Sequence, residues 1–302
     1  MEKIVECVPN FSEGRRVQIV DEIVNAMLLP DVKLLDREMD ADHNRCVITL
    51  VGAPDAIEDA AFRGIATAAR LIDLDAHRGE HPRIGATDVV PFVPVSGVAM
   101  EECVAMAQRL GAHVARELDI PVYLYENAAT RPERRDLAYI RRGEYETLKR
   151  EIATDPTRAP DFGPQRLGKA GATVIGARPY LIAFNVNLAT SDLQIAKDIA
   201  AVIRERGGGL KSVKAKGFIL RERNIAQVSM NLTDFNATGM LTAFNTVKAE
   251  AETRGVQVLE SELVGLVPLE ALTQLAAHAL KLPALNASQV VEMKIYGEQN
   301  VN

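Results

Sequence analysis

Ile4-Val5-Glu6-Cys7-Val8-Pro9-Asn10-Phe11-Ser12-Glu13-Gly14 opens the chain, and Val17, Val20, Ile23, Val24 and Met27 follow it at helical spacing. Ile4 to Pro9 reads as a short apolar strand, Asn10 to Gly14 as a polar turn, and the periodic run as an amphipathic helix. The chain then repeats that alternation. Val32 to Leu35 and Val47 to Val51 read as strands on either side of a polar loop, Asp36 to Arg45. Pro54 stands at a favoured first-turn position and opens a second helix to about Leu71. A strand at Val89 to Val95, a helix over Met100 to Leu118 and a strand at Val122 to Tyr125 follow.

Asp155 to Gly176 carries Pro156, Pro160 and Pro164 with little apolar periodicity, and reads as a long functional loop or a domain connection. Beyond it, Tyr180 to Leu188 is strand-like, and Ser191 or Asp192 caps a helix expected to end at Gly207-Gly208-Gly209. Val213 to Leu220 and Ile225 to Leu232 read as paired strands. A helix near Met240 to Arg254, a strand at Val256 to Val267 and further helical segments complete the chain. Each half runs strand, helix, strand, strand, helix, strand. The expectation is an α/β (α+β) protein of two ferredoxin-like subdomains, 1–178 and 179–302. Helices should cover the outer sheet faces, and a ligand cleft should lie between the subdomains.

Composition bounds the function. With 302 residues, 47% hydrophobic and 25% charged, the chain has material for about two globular cores. A net charge of −6 argues against nucleic acid as the main partner, while leaving room for an anionic small molecule at a local group of arginines. No apolar run approaches the ~20 residues that span a bilayer. The start, Met1-Glu2-Lys3-Ile4-Val5, lacks the basic and apolar regions of a signal peptide. Cys7, Cys46 and Cys103 are widely spaced and odd in number, which fits a reducing cytoplasm and supplies neither a disulfide framework nor a four-ligand zinc pattern.

The stretch richest in chemistry is His77-Arg78-Gly79-Glu80-His81-Pro82-Arg83-Ile84-Gly85-Ala86-Thr87-Asp88. Gly79, Pro82 and Gly85 keep it out of a regular helix, so its polar groups are displayed from a loop, where histidine can do proton chemistry near neutrality. His77 and His81 have the spacing of two zinc ligands on one helical face, but the loop defeats that geometry and no metal is expected. The plainer role for both histidines is bonding backbone groups in a tight loop, and for His77 that role is the expected one.

Asp36-Arg37-Glu38-Met39-Asp40-Ala41-Asp42-His43-Asn44-Arg45 reads either as a solvated hairpin connection or as a source of a carboxylate, Asp40 or Asp42, that orients a catalytic histidine. Glu80 is a second candidate for that duty. Gly163-Pro164-Gln165-Arg166-Leu167-Gly168-Lys169-Ala170-Gly171 offers glycine backbone and two cations to a ligand, without the spacing of a P-loop or the context of a dinucleotide fold. A flexible linker is the competing reading. The basic run from Arg204 to Arg223 has little aromatic interleaving and reads first as a solvated face, with docking of an acidic tail as the alternative.

Taken in order, several segments resemble the formiminotransferase family. They are Val5 to Gly14, His77 to Arg83, Asp88-Val89-Val90-Pro91-Phe92, Pro121 to Tyr125, Pro160 to Pro164, Gly171 to Arg178, Leu181 to Asn187 and Leu263 to Pro268. The resemblance implies passage of a formimino group from N-formimino-L-glutamate to tetrahydrofolate, giving 5-formiminotetrahydrofolate and glutamate in histidine degradation. It places the catalytic histidine on His81 and the folate-binding segment on Gly163, Pro164, Gln165, Arg166, Leu167, Gly168, Lys169, Ala170 and Gly171. Animal members carry a tryptophan where this chain has Ala170, and one more residue in that loop. They are fused to a cyclodeaminase, which this chain is too short to include, so a separate cyclodeaminase is the expected partner.

The family is described as two α/β subdomains lining a folate tunnel, and as dimeric; a cytoplasmic homodimer is expected. An imidazole at His81 can take a proton from folate N5 and give one to the departing glutamate amine. Arg83, Arg45 and Arg178 are candidate clamps for substrate carboxylates by charge. Formyl transfer from N-formylglutamate and non-catalytic folate binding are the competing functions.

Overall fold

A computed structural model describes residues 2–296 and divides after Arg178 into two units, each built on its own sheet. In the first, β1 (Ile4–Cys7) and β2 (Asn10–Phe11) are two pieces of one extended run, broken at Val8-Pro9. Proline has no amide for the ladder, so pairing lapses there. It resumes where Asn10 faces Val47 on one side and Val89 on the other. Asn10 and Phe11 are therefore strand and not the start of the expected turn.

α1 (Val17–Met27) buries Val20, Ile23, Val24 and Met27, the positions its spacing marks. β3 (Val32–Asp40) and β4 (Arg45–Gly52) form a hairpin whose register runs from Val32 opposite Gly52 to Asp40 opposite Arg45. The charged stretch expected as a loop from Asp36 to Arg45 is thus mostly strand, and only residues 41–44 turn. Asp36, Glu38 and Asp40 pair across to Thr49, Val47 and Arg45. A sheet face without helices accepts such charges at alternate positions.

α2 (Pro54–Leu71), β5 (Thr87–Ser96), α3 (Met100–Leu118) and β6 (Val122–Glu126) match their expected places. Two short helices, α4 (Leu137–Ile140) and α5 (Glu144–Glu151), precede β7 (Thr173–Ala177). β7 corrects the long-loop reading at its C-terminal end: its five residues are buried between β5 and β6 and parallel to both. β3, β4, the β1–β2 run and β5 lie side by side and antiparallel, giving the βαββαβ order of a ferredoxin-like sheet that β7 and β6 extend. α1, α2 and α3 pack over one face on Val5, Cys7, Phe11, Ile48, Leu50, Val90 and Phe92. α4 and α5 press Ile140 and Leu148 against Val89, Tyr123, Tyr125 and Val174 on the other.

The second unit contains β8 (Ile182–Leu188), α6 (Leu193–Ile203), β9 (Val213–Leu220), β10 (Ile225–Leu232), α7 (Met240–Thr253), β11 (Val258–Val264), α8 (Leu269–Leu280) and α9 (Val291–Tyr296). Its sheet order, β11-β8-β10-β9, is again ferredoxin-like. Asp192 caps α6 by accepting the Gln194 amide at 2.8 Å. The helix ends at Ile203, before the glycine run expected to stop it, because a 3-10 turn over Glu205–Gly207 intervenes. Val186, Val228 and Met230 face the helices, while their neighbours Asn185, Asn187 and Gln227 lie in a polar network with Glu260 and Glu262.

One buried ion pair shapes the approach to the glycine-rich loop of the first unit. Arg134 donates to Asp161 at 2.6 Å and to the Ala159 carbonyl, and Asp161 also accepts the Leu124 amide at 2.8 Å. Removing one partner strands the other charge out of water, at a cost of about 3–5 kcal/mol. Arg134→Ala is expected to lower the unfolding free energy by that amount, and urea denaturation measures it.

Candidate active site

The site is assembled around the tip of the β3–β4 hairpin. Asn44 there is left-handed, with φ 47°. Its side-chain oxygen accepts the Gly14 amide at 3.0 Å, and its side-chain nitrogen donates to the Arg78 carbonyl at 2.9 Å. The space is tight on both sides: a Cβ on Gly14 would sit 2.1 Å from the Asp40 carbonyl, and one on Gly79 2.3 Å from that of His43. Ser12 completes the docking by donating its hydroxyl to the Gly85 carbonyl at 2.7 Å and its amide to that of Ala86 at 2.9 Å. The opening segment 10–14 is thus the mount on which the hairpin tip and both ends of the histidine loop sit.

The two histidines of that loop have different surroundings. His77 is buried; its Nε2 lies 3.0 Å from the Asn44 carbonyl, and its Nδ1 is 3.2 Å from Arg83 Nε. Since Arg83 Nε–H donates only, Nδ1 accepts, Nε2 carries the proton, and the ring is neutral. Burial, with the Arg83 charge beside it, holds the His77 pKa below its ordinary value against the pull of the Asn44 bond. His77 is a strut, as the plainer reading expects.

His81 is partly exposed, and its ring stands edge-on to that of His43, with centroids 6.4 Å apart. His43 Nδ1 lies 2.6 Å from Asp40 Oδ2, and its amide donates to Asp40 Oδ1 at 2.9 Å. Partial burial raises the Asp40 pKa, but these bonds outweigh it and hold the carboxyl below its ordinary range. Asp40 therefore orients His43, the neighbour of His81. Asp42 and Glu80 meet through their backbones, the Glu80 amide donating to the Asp42 carbonyl at 3.3 Å. Sequence reasoning passed over His43; the Asp40-x-x-His43 spacing beside a turn was the available signal.

Of the three candidate clamps, Arg83 is taken by the protein itself. It is buried, and it donates to Glu146 at 2.7 and 3.0 Å and to Glu144 at 2.9 Å, which raises its pKa against the effect of burial. Its role is to fasten α5 to the histidine loop. Arg45 reaches Asn10 Oδ1 at 2.8 Å. Arg178 lies near Glu6, whose pKa burial raises and Arg178 partly lowers, and bonds the Tyr125 side chain. Arg141, which the sequence did not single out, pairs with buried Asp88.

The glycine-rich loop touches the far end of the same histidine loop. Gly171 bridges Gly85, and its left-handed backbone (φ 70°) lies so close that a Cβ would meet the Ile84 carbonyl at 2.2 Å. Lys169 and Ala170 accept the amides of Leu74 and Ala86 at 2.8 Å each. The cations face acids at the surface, Arg166 with Asp119 at 2.5 Å and Lys169 with Asp73 at 3.3 Å. Leu167 packs against the apolar clusters, whereas a Cβ on Gly168 would meet nothing within 4 Å. Among the described residues no group of three or more His, Cys, Asp or Glu side chains could hold a metal ion. No described helix is long and apolar enough to cross a membrane.

Comparison with known proteins covers both units. Residues 4–178 match the N-terminal subdomain of the formiminotransferase domain, and residues 183–295 match the formiminotransferase domain. The chain is 51% identical over 99% of its length to a glutamate formimidoyltransferase of Thermoplasma acidophilum, covering 99% of that protein. It is 45% identical over 98% of its length to a glutamate formimidoyltransferase of Streptococcus pyogenes, covering all of it. A formimidoyltransferase-cyclodeaminase of Mus musculus is 47% identical over 92% of this chain, which spans 52% of that longer protein.

The neutral strut at His77 makes folding depend on pH. Its folded pKa lies below the unfolded value near 6.5, so the unfolded chain takes the proton first as pH falls. The contribution is complete above about pH 6.5 and declines as pH drops toward the folded pKa. Denaturant titrations at about pH 7.5 and about pH 5.5 are expected to show a loss of stability that is smaller in His77→Gln. Equal losses would assign the pH dependence elsewhere.

Proposed function

The chain belongs to the formiminotransferase family, and from that premise we propose that it is a glutamate formimidoyltransferase. It passes the formimidoyl group of N-formimidoyl-L-glutamate to N5 of tetrahydrofolate and releases L-glutamate. The observation that carries the reading is His81, held beside the Asp40–His43 pair on a loop whose other histidine is a buried strut.

The acceptor supplies N5 as the nucleophile. As the N5–carbon bond forms, His81 receives the proton that N5 loses. As the bond from that carbon to the glutamate nitrogen breaks, His81 returns the proton to the departing amine. One imidazole can serve both steps, because an imidazole can accept a proton and then give one up near neutral pH. The segment Gly163, Pro164, Gln165, Arg166, Leu167, Gly168, Lys169, Ala170 and Gly171 binds the folate, through backbone opened at Gly168 and a position anchored to the histidine loop at Gly171. With Arg166 and Lys169 facing Asp119 and Asp73, its contribution comes from backbone and shape more than from free charge. The step belongs to histidine degradation in the cytoplasm, carried out by a homodimer.

Purified protein supplied with N-formimidoyl-L-glutamate and tetrahydrofolate is expected to release glutamate and form 5-formimidoyltetrahydrofolate. His81→Ala is expected to lower kcat on the order of 10²–10⁴-fold while leaving folate binding intact. Near-normal turnover in that variant would remove His81 from the mechanism. Turnover with N-formylglutamate alone would favour the formyl reaction, and folate binding without turnover on either donor would favour a binding protein.

A further inference from the structure

Among the described residues Arg45 is ion-paired to no carboxylate, although Asp40, Asp88 and Glu38 lie near enough to favour its charge. It sits on β4 directly opposite Asp40, the last pair before the hairpin turn that carries His43 to His81. The guanidinium is partly buried, and its hydrogen-bond partner is neutral: Nη1 donates to Asn10 Oδ1 at 2.8 Å. Its Nε–H is sealed from solvent and has no acceptor. Two of those carboxylates hold other groups. Asp40 holds His43, and Asp88 holds Arg141 and the Ile84 amide.

Arg141 lies close enough that its charge adds to burial in lowering the Arg45 pKa, and the Nε–H of Arg141 is likewise buried without an acceptor. The two guanidiniums repel each other and have one carboxylate, Asp88, beside both, so a further anion placed against them would offset the remaining repulsion.

We propose that Arg45 and Arg141 together form the seat for a carboxylate of the amino-acid donor. This assignment rests on the formimidoyltransferase reading and identifies which cations grip the substrate. Two carboxylate sources are chemically equivalent here, the donor itself and the glutamate tail of the folate. The seat's place favours the donor's α-carboxylate. In the donor, that group hangs on the same carbon as the nitrogen bearing the formimidoyl group, two bonds from that nitrogen. The folate tail lies beyond the whole p-aminobenzoyl ring from N5. A seat one residue pair from the turn beside His81 matches the nearer group. Planar guanidiniums suit it because they present paired N–H donors to a carboxylate in fixed geometry.

The test measures both Michaelis constants in the full chain carrying Arg45→Gln or Arg141→Gln. The KM for N-formimidoyl-L-glutamate is expected to rise about 10- to 100-fold, the loss of one charge-assisted bond, with the KM for tetrahydrofolate within about twofold. A donor lacking the α-carboxylate, N-formimidoyl-γ-aminobutyrate, separates recognition from folding. The unmodified protein discriminates against it, and the variants lose most of that discrimination. Because Arg141 also anchors Asp88, Arg141→Lys and a thermal melt accompany it; retained folding with restored discrimination in the lysine variant supports the seat. Turnover by the unmodified protein with donor KM and discrimination unchanged in both glutamine variants overturns the seat and leaves the reaction standing. A rise confined to the folate KM overturns the donor assignment in favour of the tail. Absence of turnover in the unmodified protein overturns the reaction and the seat together.

Discussion

Asn44 is the residue on which the geometry of the first unit's site depends. Its left-handed backbone turns the hairpin, its side chain holds Gly14 and Arg78, and its carbonyl faces His77 Nε2. Three segments far apart in the chain thus meet on one residue. Asparagine suits the position for two separate reasons: it tolerates positive φ, and its amide donates and accepts at once. The close approaches at Gly14 and Gly79 follow from it, since backbone can be drawn in to bond Asn44 only where no Cβ stands in the way.

That fastening explains why two histidines four residues apart in a loop divide the labour. A displayed loop has no helix or strand to fix its course, so some of its own polar groups must do so. His77 and Arg83 turn inward, one onto the hairpin and the other onto Glu144 and Glu146 of α5. The segment between them, with Glu80 and His81, is left held at both ends and short. A short span between fixed points has few conformations, which is what the proton transfer proposed for His81 would require to meet its partners without an entropic search. His43 is fixed by the same logic at smaller scale, through two bonds to one Asp40 carboxylate.

The sequence revealed the periodic elements and concealed those whose character is set by neighbours. α1, α2 and α3 and the paired strands β9 and β10 carry patterns strong enough to stand alone. The hairpin from Val32 to Gly52 hid its outer half because charges at alternate positions mimic a loop when the sheet face they occupy is unknown. β7 hid because five buried residues with a glycine, after a proline-rich run, have no period to show. At the site, His81 stood out through its loop and the family resemblance. Arg83 looked as available as Arg45, because charge is visible in sequence and the partner that neutralises it is not. Only Glu144 and Glu146, more than sixty positions on, separate the two.

The topology itself decides where such a site can stand. A βαββαβ unit places its helices on one face of the sheet, and the period of two sends consecutive strand residues to opposite sides. Glu6 and Cys7 show the consequence within one peptide. Cys7 is fully buried under the helices with its thiol pKa pushed far up by burial, while Glu6 looks the other way toward Arg178. Along β4, Cys46, Ile48 and Leu50 fill the core, and Arg45 faces the opposite side. The added strands β7 and β6, roofed by α4 and α5, cover part of that second face, and Arg141, just beyond α4, comes down onto Asp88 at the boundary. The charged groups therefore gather where the roof stops, on sheet that is rigid from behind and sheltered from the side. Shelter strengthens every electrostatic contact made there, and the same shelter makes an arginine costly when it is left unpaired.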